Sequence, residues 1–247
     1  MTPVWLVLGA TSAIAREFAR LAAERGSDVL LAARDIDDAA ATAADIAIRT
    51  GRRCEAHPFD ATDAGAQGPL VARARDFAGG GTLSIFLAFG TMPEQAAIDA
   101  DPALIAPTIA TNFTAAVEIL QRFAPVLEAQ GAGAVVAIGS VAGDRGRLKN
   151  YVYGSAKAGL HAYLQGLRAR LCRSGVHVVT LKPGFVDTAM TWGLPGMFLV
   201  ASPRAIAEAA MAAVAKKRDI VYAPLFWWGI MTIIRHIPER IFKKLNI

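Results

Sequence analysis

The sequence predicts an α/β fold, a doubly wound parallel sheet in strand order 3-2-1-4-5-6-7 with helices on both faces. Three observations lead there. Short apolar runs of strand length alternate strictly with longer segments of helical periodicity, and parallel strands need such crossovers, which are right-handed. Gly, Asp-Pro or Ser-Pro punctuation marks where one segment hands over to the next. Small or polar residues (Gly9, Asp60, Gly90, Ser140 and Pro183) fall at five strand ends, all on the carboxyl edge where open α/β sheets bind ligands.

Residues 4–9 are a continuous apolar run, as a strand buried on both faces requires. The turn Gly9-Ala-Thr-Ser-Ala-Ile-Ala15 leads into an amphipathic helix that runs to Arg25 and stops at Gly26. A second strand spans 27–33 and a second helix 37–50, ended by Gly51. Residues 54–59 form a third, less apolar strand, and 63–78 a third helix before Gly79-Gly-Gly81. The fourth strand is 83–89. Asp101-Pro102 pairs a cap residue with Pro at the first helical position. The long helix it opens runs to residue 130, with Pro107 and Pro125 expected to bend or interrupt it. Residues 134–138 are the fifth strand, the Tyr153 helix runs to Ser174, and 176–181 are the sixth strand. Ser202-Pro203 caps a helix ending at Lys216-Lys217-Arg218, where cations suit the helix dipole. Residues 220–223 close the sheet.

A chain of 247 residues suits one large domain, here 1–224, with 225–247 as an apolar and basic extension of it. The net charge of +5 is mild and no nucleic-acid motif accompanies it, so no nucleic-acid partner is expected. Cys54 and Cys172 lack Cys-x-x-Cys spacing, and His57, His161, His177 and His236 form no ligand cluster. No metal is expected, and the cysteines read as two buried thiols in a reducing compartment. Val4-Trp-Leu-Val-Leu lacks the basic flank of a leader and reads as a strand, so a cytoplasmic location is expected. The sequon at Asn112-Phe-Thr would then carry no sugar.

The stretch from Ser140 to Lys157 concentrates the chemistry. An apolar strand delivers Ser140, a Gly-rich loop follows, and a helix then carries Tyr153 and Lys157 four residues apart. That spacing puts phenol and ammonium on one face, one turn apart. A cation there favours phenolate, lowering a pKa that is ordinarily about 10.

Ser140 followed by Tyr153-x-x-x-Lys157, with the motifs below in order, resembles the core of the short-chain dehydrogenase/reductase family of classical type. The resemblance implies a Rossmann-type domain and a nicotinamide-dependent exchange of ketone and secondary alcohol. By it, Tyr153 is the general acid/base, Lys157 lowers the phenol pKa and holds the nicotinamide ribose, and Ser140 holds the carbonyl oxygen. Asn112, in Thr111-Asn-Phe-Thr, matches the helix Asn that supports a water chain from Lys157. The turn Gly9, Thr11, Ser12, Ala13, Ile14 takes the place of the Gly-rich pyrophosphate turn. Only its first glycine is kept, with Ala13 and Ala15 at the other two positions. The helix N–H donors that face a pyrophosphate survive that change.

Ala33 stands where NAD-preferring relatives carry Asp, and Arg34 where NADP-preferring relatives carry Arg. NADP(H) is therefore preferred, while Asp35 leaves NAD(H) open through a ribose contact. Asp60 and Ala61 match the adenine contact, with a helix cap as the alternative for Asp60. Leu87-Ala88-Phe89-Gly90 replaces Asn-Asn-Ala-Gly, so Ala88 and Gly90 keep the close approach without the amides. Pro183, Gly184, Val186 and Thr188 match the Pro-Gly loop at the nicotinamide carboxamide.

Residues 189–200 carry no charge. They read as an apolar substrate lid or as a packing surface. In the tail, Ile230, Ile233, Ile234, Ile237 and Ile241 recur at helical spacing beside Trp227, Trp228, Arg235, Arg240, Lys243 and Lys244. That pattern fits a helix lying in a membrane interface, and equally core or partner packing. Tail and turn together resemble the branch that includes a polyprenyl-phosphoryl keto-pentose reductase, which implies a lipid-linked substrate. A small soluble ketone, an acyl-chain ketone, or a non-catalytic cofactor-sensing or scaffold module are the alternatives. The family also implies a homodimer or homotetramer through the helices bearing Asn112 and Tyr153.

Overall fold

The computed structural model describes residues 2–192 and 198–245. Seven parallel strands, β1 (Pro3–Leu8), β2 (Asp28–Ala33), β3 (Cys54–Pro58), β4 (Thr82–Leu87), β5 (Ala134–Ile138), β6 (His177–Pro183) and β7 (Ile220–Ala223), form one sheet. Their order is 3-2-1-4-5-6-7, as expected. The alternation of side chains along each strand splits the core in two. Trp5, Val7, Leu31, Phe86, Val136 and Val179 face one layer. It contains α1 (Ala13–Glu24), α2 (Ile36–Thr50) and α8 (Pro203–Ala215). Leu6, Leu30, Ile85, Val135 and Val178 face the other, formed by α3 (Ala64–Ala78), α6 (Ala115–Gln130) and α7 (Tyr151–Leu171).

Several boundaries are set by caps. Ser12, Asp35, Asp63 and Ser202 each accept a backbone N–H in the first turn of their helix, and Gly51 and Gly131 end theirs in the left-handed region. A short helix α4 (Gln95–Ala100), not anticipated from the sequence, precedes Asp101. The long helix begins at Asp101 and runs to Gln130 as expected, but the prolines do not break it there. Pro107 sits in the short α5 (Ile105–Ile109) and Pro125 inside α6, while the irregularity between them is a π turn at Ala110–Thr114. Residues 102–130 are long and apolar enough to cross a membrane by length and composition. In this fold one face of α6, through Ile119, Leu120, Phe123 and Leu127, packs on the sheet.

The tail forms α9 (Phe226–His236) and α10 (Glu239–Phe242). The buried tail residues are Trp227, Met231 and Phe242, with Ile230 and Ile234 partly covered, whereas Ile233 and Ile241 are exposed. The isoleucine stripe is thus divided between two faces. Cys54 is half-buried and Cys172 exposed, which corrects the expectation of two buried thiols. Among the described residues no group of His, Cys, Asp and Glu could hold a metal.

Candidate functional site

The carboxyl ends of β1, β4, β5 and β6 converge on one edge. Gly9 sits there at φ +78°, and a Cβ would lie 2.7 Å from the Phe89 backbone nitrogen. The turn after β1 therefore demands glycine twice, by conformation and by contact. Ser12 accepts the Ala15 N–H at 3.2 Å and caps α1. Ala13 and Ile14 are the first residues of α1, so their N–H groups have no helical acceptor and point out of the turn. This is a cradle of the kind an anionic pyrophosphate fits.

Asp35 is spent locally. Its carboxylate accepts the Asp38 N–H at 3.1 Å as the cap of α2, so its side chain is turned back onto its own helix. Arg34 is exposed beside it and close enough to Asp60 to help hold that carboxyl below its ordinary range. The larger cause at Asp60 is the Thr62 N–H and hydroxyl, at 2.9 and 2.7 Å. Asp60 is not the helix cap; Asp63 is. Ala61 packs at the margin of one core layer and Ala88 at the margin of the other.

Asn112 is buried at the π turn. Its Nδ2 donates to Thr91 O at 2.7 Å and Thr108 O at 2.9 Å, and its Oδ1 accepts the Thr91 N–H at 3.2 Å. Both amide protons are thus committed to tying the loop after β4 to the helix. A Cβ on Gly90 would stand 2.7 Å from Asn112 Oδ1 and 3.7 Å from Lys157 Nζ. Gly90 is the small residue that lets these two groups meet.

Ser140 caps a short 3₁₀ turn, its Oγ accepting the Ala142 N–H at 3.0 Å. The Tyr153 hydroxyl lies near enough to Ser140 for that side chain to draw its pKa down. Lys157 Nζ donates to Ile138 O at 3.0 Å and lies 5.8 Å from the centre of the Tyr153 ring. Asn112, Ser140, Tyr153, Lys157 and Gly90 are therefore gathered in one place. The electrostatics differ from expectation. Burial pushes Tyr153 up to about 12, and Ser140 and Arg147 only partly oppose it. Burial also lowers Lys157 to about 8. Desolvation of phenolate outweighs the opposing pull of Ser140 and Arg147. The guanidinium Nε of Arg147 is buried with no hydrogen-bond partner among the described residues.

Behind Ser140 stands a second tier that the sequence did not reveal. His161 Nε2 accepts the Ser140 N–H at 3.4 Å. Asp144 accepts Lys182 Nζ and the Tyr222 hydroxyl, each at 2.6 Å, and His161 Nδ1 is 3.7 Å from the same carboxylate. Burial lowers His161 to about 3, so its ring is neutral and acts as an acceptor. Arg145 reaches into the tail, donating to Ile234 O at 2.6 Å, Ile237 O at 2.7 Å and Glu239 at 2.9 Å. It also covers the Phe242 ring at 3.6 Å.

The Pro-Gly loop leans on that tail as well. Pro183 ends β6, and any Cβ on Gly184 would run into the Trp227 indole. Val186 pairs with Ala201. Thr188 N–H donates to the Thr191 hydroxyl at 3.2 Å, which in turn binds Val186 O, so Thr191 organises a turn in which only Thr188 was singled out. Part of the expected lid, 193–197, lies outside the described residues; at its margins Trp192, Phe198 and Leu199 are exposed.

Residues 3–196 match the family described as short chain dehydrogenase. An uncharacterized oxidoreductase of Mycobacterium tuberculosis is 34% identical over 241 residues, 97% of this chain and 96% of that protein. A short-chain dehydrogenase from Sphingobium yanoikuyae, solved with NADPH, superposes with TM-score 0.80 at 26% identity over 96% of this chain and 97% of that one. The bulky-bulky ketone specific alcohol dehydrogenase from Comamonas testosteroni shares the fold, with TM-score 0.80, 23% identity, and 96% and 95% of the two chains covered.

Proposed function

The chain belongs to the short-chain dehydrogenase family of nicotinamide-dependent oxidoreductases, and we propose that it interconverts a ketone and a secondary alcohol at the Ser140–Tyr153–Lys157 cluster. One observation carries this: the Tyr153 hydroxyl is buried against Ser140 with the Lys157 ammonium a turn further, at the sheet edge beside Gly90. When bound, the nicotinamide supplies the hydride. The residues that would hold the cofactor are Gly9, Thr11, Ser12, Ala13 and Ile14 at the pyrophosphate, Asp60, Ala61 and Ala88 on the adenosine side, and Pro183, Gly184, Val186 and Thr188 at the carboxamide. NADP(H) is preferred, since Arg34 is exposed and Asp35 is already bonded to Asp38; NAD(H) is the admitted second choice.

Ser140 would direct the carbonyl oxygen toward Tyr153. A phenol held near 12 keeps its proton at neutral pH, which suits reduction: the proton on Tyr153 Oη passes to the oxygen as the carbonyl carbon gains its hydride. Lys157, cationic below about 8, and Arg147 stabilise the phenolate left behind, which regains a proton from water. Turnover of a ketone panel with NADPH and NADH, wild type against Tyr153→Phe, tests this. The rate should fall on the order of a hundredfold to ten-thousandfold with nucleotide binding retained. Undiminished turnover would refute Tyr153 as the proton donor, and nucleotide binding without turnover of any ketone by the wild type would favour a cofactor-sensing module.

An amphiphilic or lipid-linked carbonyl substrate is the reading favoured by the exposed apolar margin at Met190, Trp192, Phe198 and Leu199; a small soluble or acyl-chain ketone is the alternative. The outward residues of the tail, Leu225, Trp228, Ile233 and Ile241, support peripheral membrane contact of a cytoplasmic enzyme through 225–247. Assembly as a homodimer or homotetramer through α6 and α7 completes the proposal.

A further inference from the structure

On the far side of the Ser140 loop, between α7, β7 and α9, lies a cleft of about 560 Å³. Its floor is electrically closed. Lys182 neutralises Asp144, the Tyr222 hydroxyl takes the other carboxylate oxygen, and His161 stays uncharged down to about pH 3. The walls are not closed. Arg218 and Arg235 both line the cleft, and neither forms an ion pair among the described residues. The neighbouring acid, Asp219, is committed to Arg168 and His177. Arg235 lines the same cleft as Tyr222 and stands near enough for its charge to act on that hydroxyl. At the rim stand Leu225, 71% exposed, and Trp228, 59% exposed.

Two uncommitted guanidinium groups above a neutral floor form a site for a doubly liganded oxyanion, since the planar fork matches phosphate oxygens. An exposed Trp and Leu beside them suit a ligand whose polar head adjoins hydrocarbon, the level at which interfacial helices place their aromatic rings. The remaining outward tail residues continue that surface, with Ile233 and Ile241 exposed and Arg240, Lys243 and Lys244 among them. We infer that the cleft receives the phosphate of an anionic lipid headgroup at a bilayer surface, Arg218 and Arg235 holding its oxygens while Leu225 and Trp228 enter the acyl boundary. This rests on the interfacial reading of 225–247, and gives it a defined headgroup site distinct from the Tyr153 cluster.

The test is flotation of the full chain with phosphatidylcholine vesicles, alone or mixed with phosphatidylglycerol. The Trp228 emission is followed in parallel as the difference between wild type and Trp228→Phe, since the chain has four tryptophans. Wild type should float with the anionic vesicles only, with a blue shift. Each cleft arginine removed should weaken binding more than the roughly fivefold that one diffuse cation near an anionic leaflet is worth. Arg218→Glu, an exposed substitution with thermal melting as its folding control, and the double Arg218→Gln/Arg235→Gln are compared with Lys243→Gln/Lys244→Gln, which removes the same charge outside the cleft. A larger loss for the cleft pair supports the site; equal losses overturn it in favour of diffuse charge. Flotation undiminished in the cleft variants overturns the headgroup site while leaving membrane contact standing, and wild type that never floats removes both. An equal Trp228 shift with inorganic phosphate alone would assign the site to a soluble anion instead. A dimer that splits on Arg218→Glu would assign it to a second copy. Ketone turnover, measured separately without lipid, keeps failure here distinct from failure of the oxidoreductase proposal.

Discussion

The two halves of the carboxyl edge are built in different ways. On the nucleotide side, each turn is closed by residues a few positions away: Ser12 on Ala15, Asp35 on Asp38, Asp60 on Thr62. On the chemical side, Ser140, Tyr153 and the Pro-Gly loop are held by partners remote in sequence, through His161, Lys182, Tyr222 and the tail. A locally closed turn fails alone, whereas a remotely braced loop fails with its brace. Damage to the tail should therefore reach the proposed chemistry, and damage to a cap on the nucleotide side should not.

The largest expected effect that would break this contrast is at Trp227. It is 2% exposed, packed on Gly184 and ringed by Phe185, Phe198 and Phe226. Trp227→Ala should cost about 3–5 kcal/mol by denaturant titration, as large-to-small core changes do, and lower ketone turnover with it. Trp227→Phe should cost less, because the indole N–H has no partner among the described residues to lose. Arg145→Ala comes next. It removes hydrogen bonds from one guanidinium to four groups of the tail. The bonds share one side chain and two are exposed, so about 2–3 kcal/mol in all is expected. Turnover should fall while nucleotide affinity stays within about twofold. Equal loss of both would blur the two halves.

On the other side, Gly9→Ala should cost about 1–2 kcal/mol from the left-handed backbone, and weaken nucleotide binding more than it slows saturated turnover. Asp35→Ala should cost about 1 kcal/mol as a lost cap and leave the preference between NADPH and NADH unchanged. A shift toward NADPH would show that Asp35 also contacts the ribose. The last effect concerns pH, and it is absent at neutrality and grows only in acid. His161 is held near 3 in the fold against an ordinary 6.5, so below pH 6.5 the unfolded chain binds the proton more readily. Stability should decline as pH falls from about 6.5 toward 3. His161→Gln should flatten that part of a melting-temperature profile, and an unchanged slope would place the acid sensitivity elsewhere.

The same contrast explains what the sequence disclosed. All seven strands and the Asp101 and Ser202 caps follow from periodicity and punctuation, because they depend on neighbours in the chain. The sheet order follows from the alternation of strands with helices; the caps at Ser12, Asp35 and Asp63 were not anticipated. Gly9, Gly90, Ser140, Tyr153 and Lys157 were legible for a related reason, each lying at the end of a readable element or on one helix face. Asp144, Arg145 and Arg147 sit in a loop whose Gly and Arg content signals only a turn, and their partners lie up to 94 residues away. No local pattern carries that. Lys157 was legible as a neighbour of Tyr153 but not as a donor to Ile138, since burial, which sets both pKa values, is a property of the assembled layers.

Arg145 takes its carbonyl partners from residues made 89 to 92 positions after it. While the ribosome still shelters the last few dozen residues, the loop between Ser140 and Tyr153 has only part of its anchorage. Every strand from β1 to β6 is by then available to pair. The proposed nucleotide cradle can therefore form before the proposed proton-transfer loop is anchored, so chains truncated before residue 234 should change the fluorescence of added nucleotide without reducing a ketone. Full turnover from such a chain would separate the loop from its late-arriving anchor.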